Sequence, residues 1–472
     1  MKTIRNFVLP LVATVVWTLP TYAQSRTSDV SIEGIAERLD QLEQQNSELL
    51  QQISALRHEL EELRRPSSQG TSGAGIPVEQ QIEVLEEKAE TQAGLLAEQN
   101  QVSVQSSQRL PIRITGMALF NAFKNTAHGP NGQQYPRFAQ PVPNPIEAGA
   151  SLRQTIIGLE FQSPYAVLGG AFKGTALFDL FPGYDPQALA TNAQGRLRLA
   201  YIEGQWKTRS VIVGQDKPIF NPREPNSLAQ VGFSPLSASG NLYLWLPQAS
   251  FEQRLMFGTR QDIRADVGVA QIAEDVTRVP AQFVSTIEKK RPALEGRFQF
   301  GHRMDEQRRV ELATGFHTSS SHVLGTAVPS RVVSVDWFWN PVRRIELTGA
   351  LFTGKNLASF GGAALRQSFT FLTPAPGQVS VIPVRSRGGW AQVTFMATSR
   401  LSFNLQSGID DPNNRDLPSS GIARNSTYVA NTFYRLAPNV VTGVELSRVR
   451  TLYLAGQHPI NNHYDLYLAY MF

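Results

Sequence analysis

From residue 111 to the last residue the chain repeats one pattern, in which apolar and polar side chains alternate with a period of two. Leu401 and Phe403, for example, alternate with Ser402 and Asn404. A strand turns successive side chains to opposite faces, so each such segment carries one apolar and one polar face. No window after the first 25 residues approaches the ~20 apolar residues of a spanning helix. If the chain spans a membrane, it must do so as a closed barrel, because only helices and closed barrels satisfy every backbone polar group in lipid.

About sixteen alternating segments can be counted, and they are joined by short turns and long loops in alternation. That alternation is typical of a transmembrane barrel, and a soluble sandwich would not need it. We therefore predict an all-β transmembrane barrel of about sixteen antiparallel strands over residues 111–472. The predicted strands lie near 111–124, 151–162, 167–180, 195–207, 209–216, 252–260, 262–272, 292–302, 307–318, 331–340, 344–354, 386–397, 399–410, 424–436, 439–450 and 461–472. The predicted long loops lie near 125–150, 181–194, 217–251, 273–291, 319–330, 355–385, 411–423 and 451–460.

Residues 1–23 have the pattern of a secretory signal peptide. Lys2 and Arg5 precede a mostly apolar stretch, and Thr21 and Ala23 place small residues at the −3 and −1 positions of a cleavage site. We therefore expect export and cleavage after Ala23. The chain has no cysteine, so disulfides cannot stabilise the exported protein.

Residues 26–65 predict an N-terminal α-helical coiled coil. Apolar residues recur at alternating spacings of three and four, with Asn46 at one core position. A single core Asn often specifies a dimer, whereas Arg38 and Glu43 resemble a trimerisation signature; we favour a trimer over a dimer, and over a lone helix packed on the barrel. Residues 66–110 form a linker with a second short helical run. The predicted core residues are Ile32, Ile35, Leu39, Leu42, Asn46, Leu49, Ile53, Leu56, Leu60 and Leu63.

Charge divides the chain into an acidic and a basic part. Residues 26–109 hold 7 Lys and Arg against 15 Asp and Glu, whereas residues 110–472 hold 35 against 24, and 28 of those 35 are Arg. A basic balance can indicate nucleic-acid binding, but an exported chain rarely meets nucleic acid. A pore that attracts anions is the better interpretation.

The last strand carries the most specific local signal. Tyr464, Leu466, Leu468, Tyr470 and Phe472 share one face, and the sequence ends on Phe472. This resembles the C-terminal signature by which the barrel assembly machinery recognises bacterial outer-membrane barrels. The alternative is an ordinary amphipathic strand.

Signal peptide, coiled coil, linker and sixteen-strand barrel together resemble the DcaP-like porins. The stretch Arg196–Tyr201, followed by Val213–Gln215 and Pro218–Phe220, also looks like that family. The phosphate-selective porins O and P share the general layout. The resemblance implies a homotrimer with its helical N-termini in the periplasm, and passive uptake of small, often anionic, solutes.

A third external loop folded into the barrel would place Lys217 and Arg223 in a constriction, unless they are ordinary solvated loop charges. A charge at the lipid-facing midplane costs about 2–4 kcal/mol, so mid-strand bases should face the lumen. Arg suits an anion path because its planar fork holds carboxylate or phosphate oxygens in two-point contact. Arg196 and Arg198 share one face, and Glu203 falls on the other; a bulge or a protomer contact would explain this. The expected wall residues of the anion path are Lys173, Arg196, Arg198, Arg254, Arg264, Arg297 and Arg309.

The sequence thus predicts an outer-membrane porin for small hydrophilic, preferentially anionic solutes. The alternative is a structural anchor that tethers the envelope through the periplasmic coiled coil. No H-E-x-x-H motif is present, and His463 near Asp465 has no hydrolase context, so we expect no catalytic, cofactor or metal site. The expected partners are outer-membrane lipid and lipopolysaccharide, the barrel assembly machinery, two further copies of the chain and small anionic solutes, but not nucleic acid.

Overall fold

The computed structural model describes residues 112–129, 134–163, 165–181, 194–276, 279–375 and 378–472. The predicted signal peptide (1–23), coiled coil (26–65) and linker (66–110) lie outside the described residues. All of the described residues belong to the region predicted to form the barrel.

Strands make up most of this region. They are β1 (Ile112–Asn125), β2 (Glu147–Ser151), β3 (Ile156–Gln162), β4 (Ala171–Asp179), β5 (Arg196–Gln205), β6 (Arg209–Asp216), β7 (Leu246–Phe257), β8 (Gln261–Ala273), β9 (Lys290–Arg303), β10 (Arg309–Val323), β11 (Thr326–Val342), β12 (Ile345–Lys355), β13 (Phe369–Ala375), β14 (Gln378–Pro383), β15 (Arg385–Met396), β16 (Leu401–Pro412), β17 (Ile422–Ala437), β18 (Val440–Tyr453) and β19 (Ile460–Met471). The described helical segments are α1 (Ala281–Val284), α2 (Gly362–Arg366) and the 3₁₀ turns Ala358–Phe360 and Asn414–Asp416. No helix among the described residues is long and apolar enough to cross a membrane.

The strands close into one antiparallel barrel of sixteen positions. β2 and β3 both pair with β1 and together fill a single position, and β13 and β14 form a separate hairpin. β19 pairs with β1 from Met117–Met471 to Asn125–His463, and Phe472 exchanges backbone hydrogen bonds of 2.8 and 3.1 Å with Gly116. The predicted sixteen-strand barrel is therefore confirmed.

The two faces of each strand differ as the period of two predicts. On β16, Phe403, Leu405 and Ile409 are 41%, 62% and 40% exposed on the outside, whereas Asn404 and Gln406 are buried on the inside. An apolar outer surface is stable only against lipid or a partner, since each Å² removed from water contributes about 25 cal/mol. The barrel therefore has an outer apolar belt around a polar lumen.

A ring of exposed aromatic side chains marks one end of this belt. The ring lies at the end of the barrel that carries the short turns, called here the turn end, and the opposite end is called the loop end. Aromatic girdles of this kind sit at the interface between lipid and water in transmembrane barrels. The ring consists of Phe161, Phe257, Phe300, Trp339, Phe395, Phe403, Tyr434, Tyr470 and Phe472.

The predicted loop near 319–330 is wrong. β10 continues to Val323 and β11 begins at Thr326, so only Leu324 and Gly325 remain as a two-residue turn. Both turn residues have positive φ (51° and 72°), the backbone conformation that matches the right-handed twist of a tight hairpin. The polar run of serines in β10 hid this extension from the alternation pattern.

Two other predicted loops are shorter than expected or contain strands. β7 begins at Leu246, which pairs with Asp216 of β6, so the third loop spans residues 217–245 rather than 217–251. The predicted loop 355–385 contains the β13–β14 hairpin, whose Phe369 packs in one apolar cluster with Ile287, Val323 and Val328.

Leu405→Arg should destabilise the barrel by about 2–4 kcal/mol in phospholipid vesicles, because it places a charge in the middle of the apolar belt. Ser320→Arg is the matched control, since Ser320 is exposed on the outside of β10 near the loop end, where the cost falls to about 0–1 kcal/mol. Urea unfolding in vesicles measures both changes. Equal losses in the two variants would contradict the assignment of the outer belt.

Candidate functional site

The third loop (217–245) runs inside the barrel and contacts opposite walls of the lumen. At its start, the backbone N of Ile219 donates to Glu295 Oε2 of β9 at 2.9 Å. Further on, Asn121 Nδ2 of β1 donates to the carbonyl of Leu228 at 2.9 Å, and Gln154 Nε2 donates to the carbonyl of Ala229 at 2.7 Å. The loop therefore crosses the lumen and narrows it.

Apolar side chains and glycines fix the third loop against the wall. Leu236 is buried in a cluster with Trp390 and Val429. Gly240 has φ +96°, and a Cβ there would lie 2.1 Å from the carbonyl oxygen of Gly389. Only glycine permits this close approach of two backbones. The loop is thus a packed part of the barrel interior.

An ion-pair network joins the third loop to β9, β10 and β11. Arg223 Nη2 lies 2.7 Å from Glu311 Oε2, and Arg223 Nε lies 2.5 Å from Asp336 Oδ1. Arg297 binds the same Asp336 with two hydrogen bonds of 2.8 Å. Asp336 is fully buried, so the two guanidinium groups compensate its charge inside the protein.

Lys217 and Arg223 do lie inside the barrel, but neither is an uncompensated charge of the constriction. Lys217 Nζ lies 2.6 Å from Glu224 Oε2 within the loop, and Arg223 is held by the two wall carboxylates. The side chains of Lys217 and Arg223 are 31% and 16% exposed. Arg223 therefore holds the loop to the wall, whereas the ion pair of Lys217 lies within the loop.

The wall bases of β7, β8 and β10 face the lumen beside carboxylates. Arg254 and Arg264 lie 3.1 and 3.2 Å from Asp262, and Arg309 lies 2.8 Å from Glu311. Their side chains are 35%, 34% and 54% exposed, so they remain in contact with water. This part of the lumen is an alternating charge ladder rather than a purely basic surface.

A β-bulge at Arg198 explains why Glu203 faces the lumen, although simple alternation from Arg196 would turn it outward. Leu199 pairs with Leu177 and Leu197 pairs with Phe178, so Arg198 is the extra residue of the bulge. Beyond it the faces exchange, and Glu203 turns inward to meet Lys173 at 3.0 Å. Of the two explanations open from the sequence, the bulge is the one that the structure contains.

Arg196 and Arg198 form the centre of an arginine–aromatic cluster near the loop end of the lumen. Arg196 binds Asp179 with hydrogen bonds of 3.1 and 2.6 Å, and Arg198 Nε lies 3.7 Å from the same carboxylate. The guanidinium carbon of Arg198 lies 4.7 Å from the ring centre of Trp245, and that of Arg196 lies 5.3 Å from it. Stacking on an aromatic face holds a guanidinium in a fixed orientation.

Arg137 and Arg153 bring two further guanidinium groups to this cluster. Arg137 lies 4.7 Å from the ring centre of Phe233, and Arg153 lies 5.9 Å from that of Phe181. The Nε and Nη1 atoms of Arg198 are buried and have no hydrogen-bond partner in the described residues. Buried donors without a partner are costly, so an anion that accepts from them would stabilise the cluster.

Sequence alternation could not find Arg137, Arg153, Phe181 and Phe233, because they lie outside the regular strands. The run Leu242–Pro247, which contains Tyr243 and Trp245, is the sequence signal for an aromatic wall at the end of the third loop.

Part of the basic excess lies outside the lumen, contrary to the sequence-based expectation. Seven bases near the loop end project from the outer surface of β11, β12, β15, β17 and β18. The cost of a lipid-facing charge falls toward zero near the interface, so the midplane argument does not apply at this height. These outward-facing bases are Arg331, Lys355, Arg385, Arg387, Arg424, Arg448 and Arg450.

Four residues of the predicted assembly signal lie on the outer face of β19, and the fifth, Phe472, directly follows that strand. Tyr464, Leu466, Leu468, Tyr470 and Phe472 are all about half exposed, between 45% and 53%. Their availability to an assembly partner before the barrel closes stays a prediction.

His463, which the sequence places near Asp465, lies with its Nε2 atom 3.8 Å from Asp465 Oδ2. His463 is fully buried and faces inward, whereas Tyr464 is 45% exposed on the outer surface. Among the described residues, no group of three or more His, Cys, Asp or Glu side chains could hold a metal ion.

Arg223→Ala should loosen the third loop without leaving a buried carboxylate unpaired, because Asp336 keeps Arg297 and Glu311 keeps Arg309. We expect the rate of backbone amide exchange in the loop to rise about tenfold, because the loss of the hydrogen bonds of Arg223 lowers the free energy of local opening. Lys217→Ala is the control, since its ion pair lies within the loop. Hydrogen–deuterium exchange of both variants checks this, and equal exchange in the two would refute the tether.

Comparisons with known proteins agree with this geometry at the level of the fold. No protein-family model matches the chain, and no curated protein matches it in sequence. The outer membrane channel DcaP of Acinetobacter baumannii is similar in structure, with a TM-score of 0.61 and 15% sequence identity over 76% of this chain and 97% of that chain. The anion-selective porin from Comamonas acidovorans is also similar, with a TM-score of 0.50 and 11% identity over 76% of this chain and 99% of that chain. The chain therefore has the porin fold of DcaP, as the sequence resemblance indicated.

Proposed function

We propose that this protein is an outer-membrane porin for the passive diffusion of small hydrophilic, preferentially anionic solutes. The single observation that carries the proposal is the third loop, which crosses a polar lumen and is fastened to its walls. A barrel that served only as an anchor would need no such device. A loop that narrows the lumen gives a channel its size limit and brings solutes close to charged side chains.

The arginine–aromatic cluster is the proposed anion-binding part of the path. Arg196 and Arg198 are oriented by Asp179 and Trp245. The Nη1 atom of Arg198, which has no hydrogen-bond partner among the described residues, can donate to an oxygen of a carboxylate or phosphate. Arg254, Arg264 and Arg309 continue the path toward the turn end as the exposed bases of the charge ladder. Alternating charges favour weak, repeated binding, which conduction requires.

We also propose the assembly that the sequence predicts. The barrel would lie in the outer membrane with its turn end toward the periplasm, and the coiled coil (26–65) would join three copies there. Lipopolysaccharide would surround the outer part of the belt, and the barrel assembly machinery would recognise the final strand. The apolar belt and the aromatic ring at the turn end support the membrane location.

Planar-bilayer recording of the purified full chain tests the porin function. We expect open channels that close in three steps, and a reversal potential in a salt gradient that indicates preference for the anion. An electrically silent barrel would instead support the structural anchor. Preference for the cation would refute the proposed anion path.

Arg196→Gln with Arg198→Gln should lower the anion-to-cation permeability ratio several-fold, because it removes two charges at the narrowed part of the lumen. Arg331→Gln with Arg387→Gln is the matched control, since it removes the same charge from the outer surface. Reversal potentials of both double variants check this. A larger effect from the outer pair would contradict the assignment of Arg196 and Arg198.

A further inference from the structure

Five of the outward-facing bases form a continuous group, called here the outer basic patch: Arg331, Lys355, Arg385, Arg387 and Arg424. Arg331 is the cross-strand partner of Lys355, and Lys355 is the partner of Arg385. Arg387 is the partner of Asp411 on the next strand, and Asp411 in turn meets Arg424 of β17. Directly opposite residues in a sheet have Cβ atoms about 4.5–5.5 Å apart, so these side chains are neighbours on one surface.

The patch lines a cleft of about 810 Å³ on the outer surface at the loop end. Asn413, Asn414 and Arg415, which follow β16, complete one wall of the cleft. Arg415 adds a sixth base. The cleft is therefore concave, hydrogen-bonding and basic.

The carboxylates at the cleft do not balance its bases. Asp411 lies 3.2 Å from Arg387 and 2.9 Å from Arg424, so one acid serves two bases. Asp416 lies 2.7 Å from Arg385. Within the described part of the chain, Arg331, Lys355 and Arg415 form no ion pair. The cleft keeps a net positive charge while Arg387 remains 77% exposed.

The apolar belt begins directly beside the patch. On the turn-end side of the patch, Val333 lies two residues from Arg331, and Leu351 lies four residues from Lys355. Val333 and Leu351 are 54% and 55% exposed. Ile409, two residues from Asp411, is 40% exposed. A ligand that reached both surfaces would need an anionic head and apolar chains. A soluble anion would use only the cleft.

We propose that the outer basic patch binds the phosphorylated headgroup of a glycolipid in the outer leaflet of the outer membrane. The phosphate oxygens accept hydrogen bonds from the guanidinium groups, and the acyl chains lie along Val333, Leu351 and Ile409. The inference rests on the proposed outer-membrane location but not on ion conduction. It assigns the outward-facing part of the basic excess to a lipid rather than to the solute path.

Lipid binding to the detergent-purified full chain tests this site by native mass spectrometry. The probes are bisphosphorylated lipid A and the same lipid without phosphates. Wild-type protein should bind the phosphorylated lipid at least about tenfold more tightly, and Arg331→Gln, Lys355→Gln and Arg387→Gln together should weaken that binding by about 100-fold. Arg254→Gln, Arg264→Gln and Arg309→Gln together remove the same charge from the lumen and should leave lipid binding unchanged.

Three results would overturn the inference. Equal affinity for the two lipids would show that phosphate is not recognised. Displacement of the lipid by millimolar inorganic phosphate would indicate a free-anion site, and a changed oligomeric mass of the patch variant would indicate a contact between copies.

The patch variant should also keep wild-type conductance and ion preference in planar bilayers. If the barrel conducts no current but its binding of phosphorylated lipid is weakened in the patch variant, the porin function is refuted and the lipid site is supported. If the barrel conducts normally but shows no preference for phosphorylated lipid, the lipid site is refuted and the porin function is supported.

Discussion

The structure depends on the hydrogen bonding of one pair of strands, the first and the last of the barrel. β1 and β19 are paired from Met117–Met471 to Asn125–His463, and this pairing leaves the sheet without an edge. Lipid offers no hydrogen bonds to an open edge, so closure is the condition under which such a sheet can exist in a membrane. The alternation of side chains follows from it, because a closed sheet has only an outside and an inside.

Closure creates a polar interior that must then be occupied. The third loop brings its own backbone groups into that space, and lumenal side chains satisfy them: Gln154 binds two backbone N–H groups at 2.6 and 2.8 Å, and Glu295 binds a third. The lumenal residues therefore do two things, since they hold the loop and form the wall of the lumen. Arg223 shows the consequence, because this base of the loop is bound to Asp336 and Glu311 of the wall rather than left unpaired in the lumen.

The sequence predicts what period and sign of charge can determine, and little that depends on contact between distant segments. The sixteen strand positions and the inward direction of Arg254, Arg264 and Arg309 follow from alternation alone. The hairpin at Leu324 does not follow from alternation, because the serines of β10 interrupt the apolar pattern. The bulge at Arg198 does not follow from it either, because it exchanges the two faces within one strand. The stacking of Arg198 on Trp245 requires a fold that brings the end of the third loop to β5. No periodic pattern in one segment contains that information.

The two populations of arginine show how position gives one residue type different chemistry. The alternation of side chains along a strand determines whether a base faces the lumen or the outside. For an outward-facing base, the position along the strand determines the free-energy cost of placing the charge against lipid. Arg198 lies inside, is nearly buried and stacks on Trp245, and its Nη1 atom has no hydrogen-bond partner among the described residues, so its orientation is restricted. Arg387 lies outside at the end of the apolar belt and its side chain is 77% exposed. It shares the carboxylate of Asp411 with Arg424. The net charge of the chain does not distinguish these two groups, although Arg198 faces the interior of the barrel and Arg387 faces its surroundings.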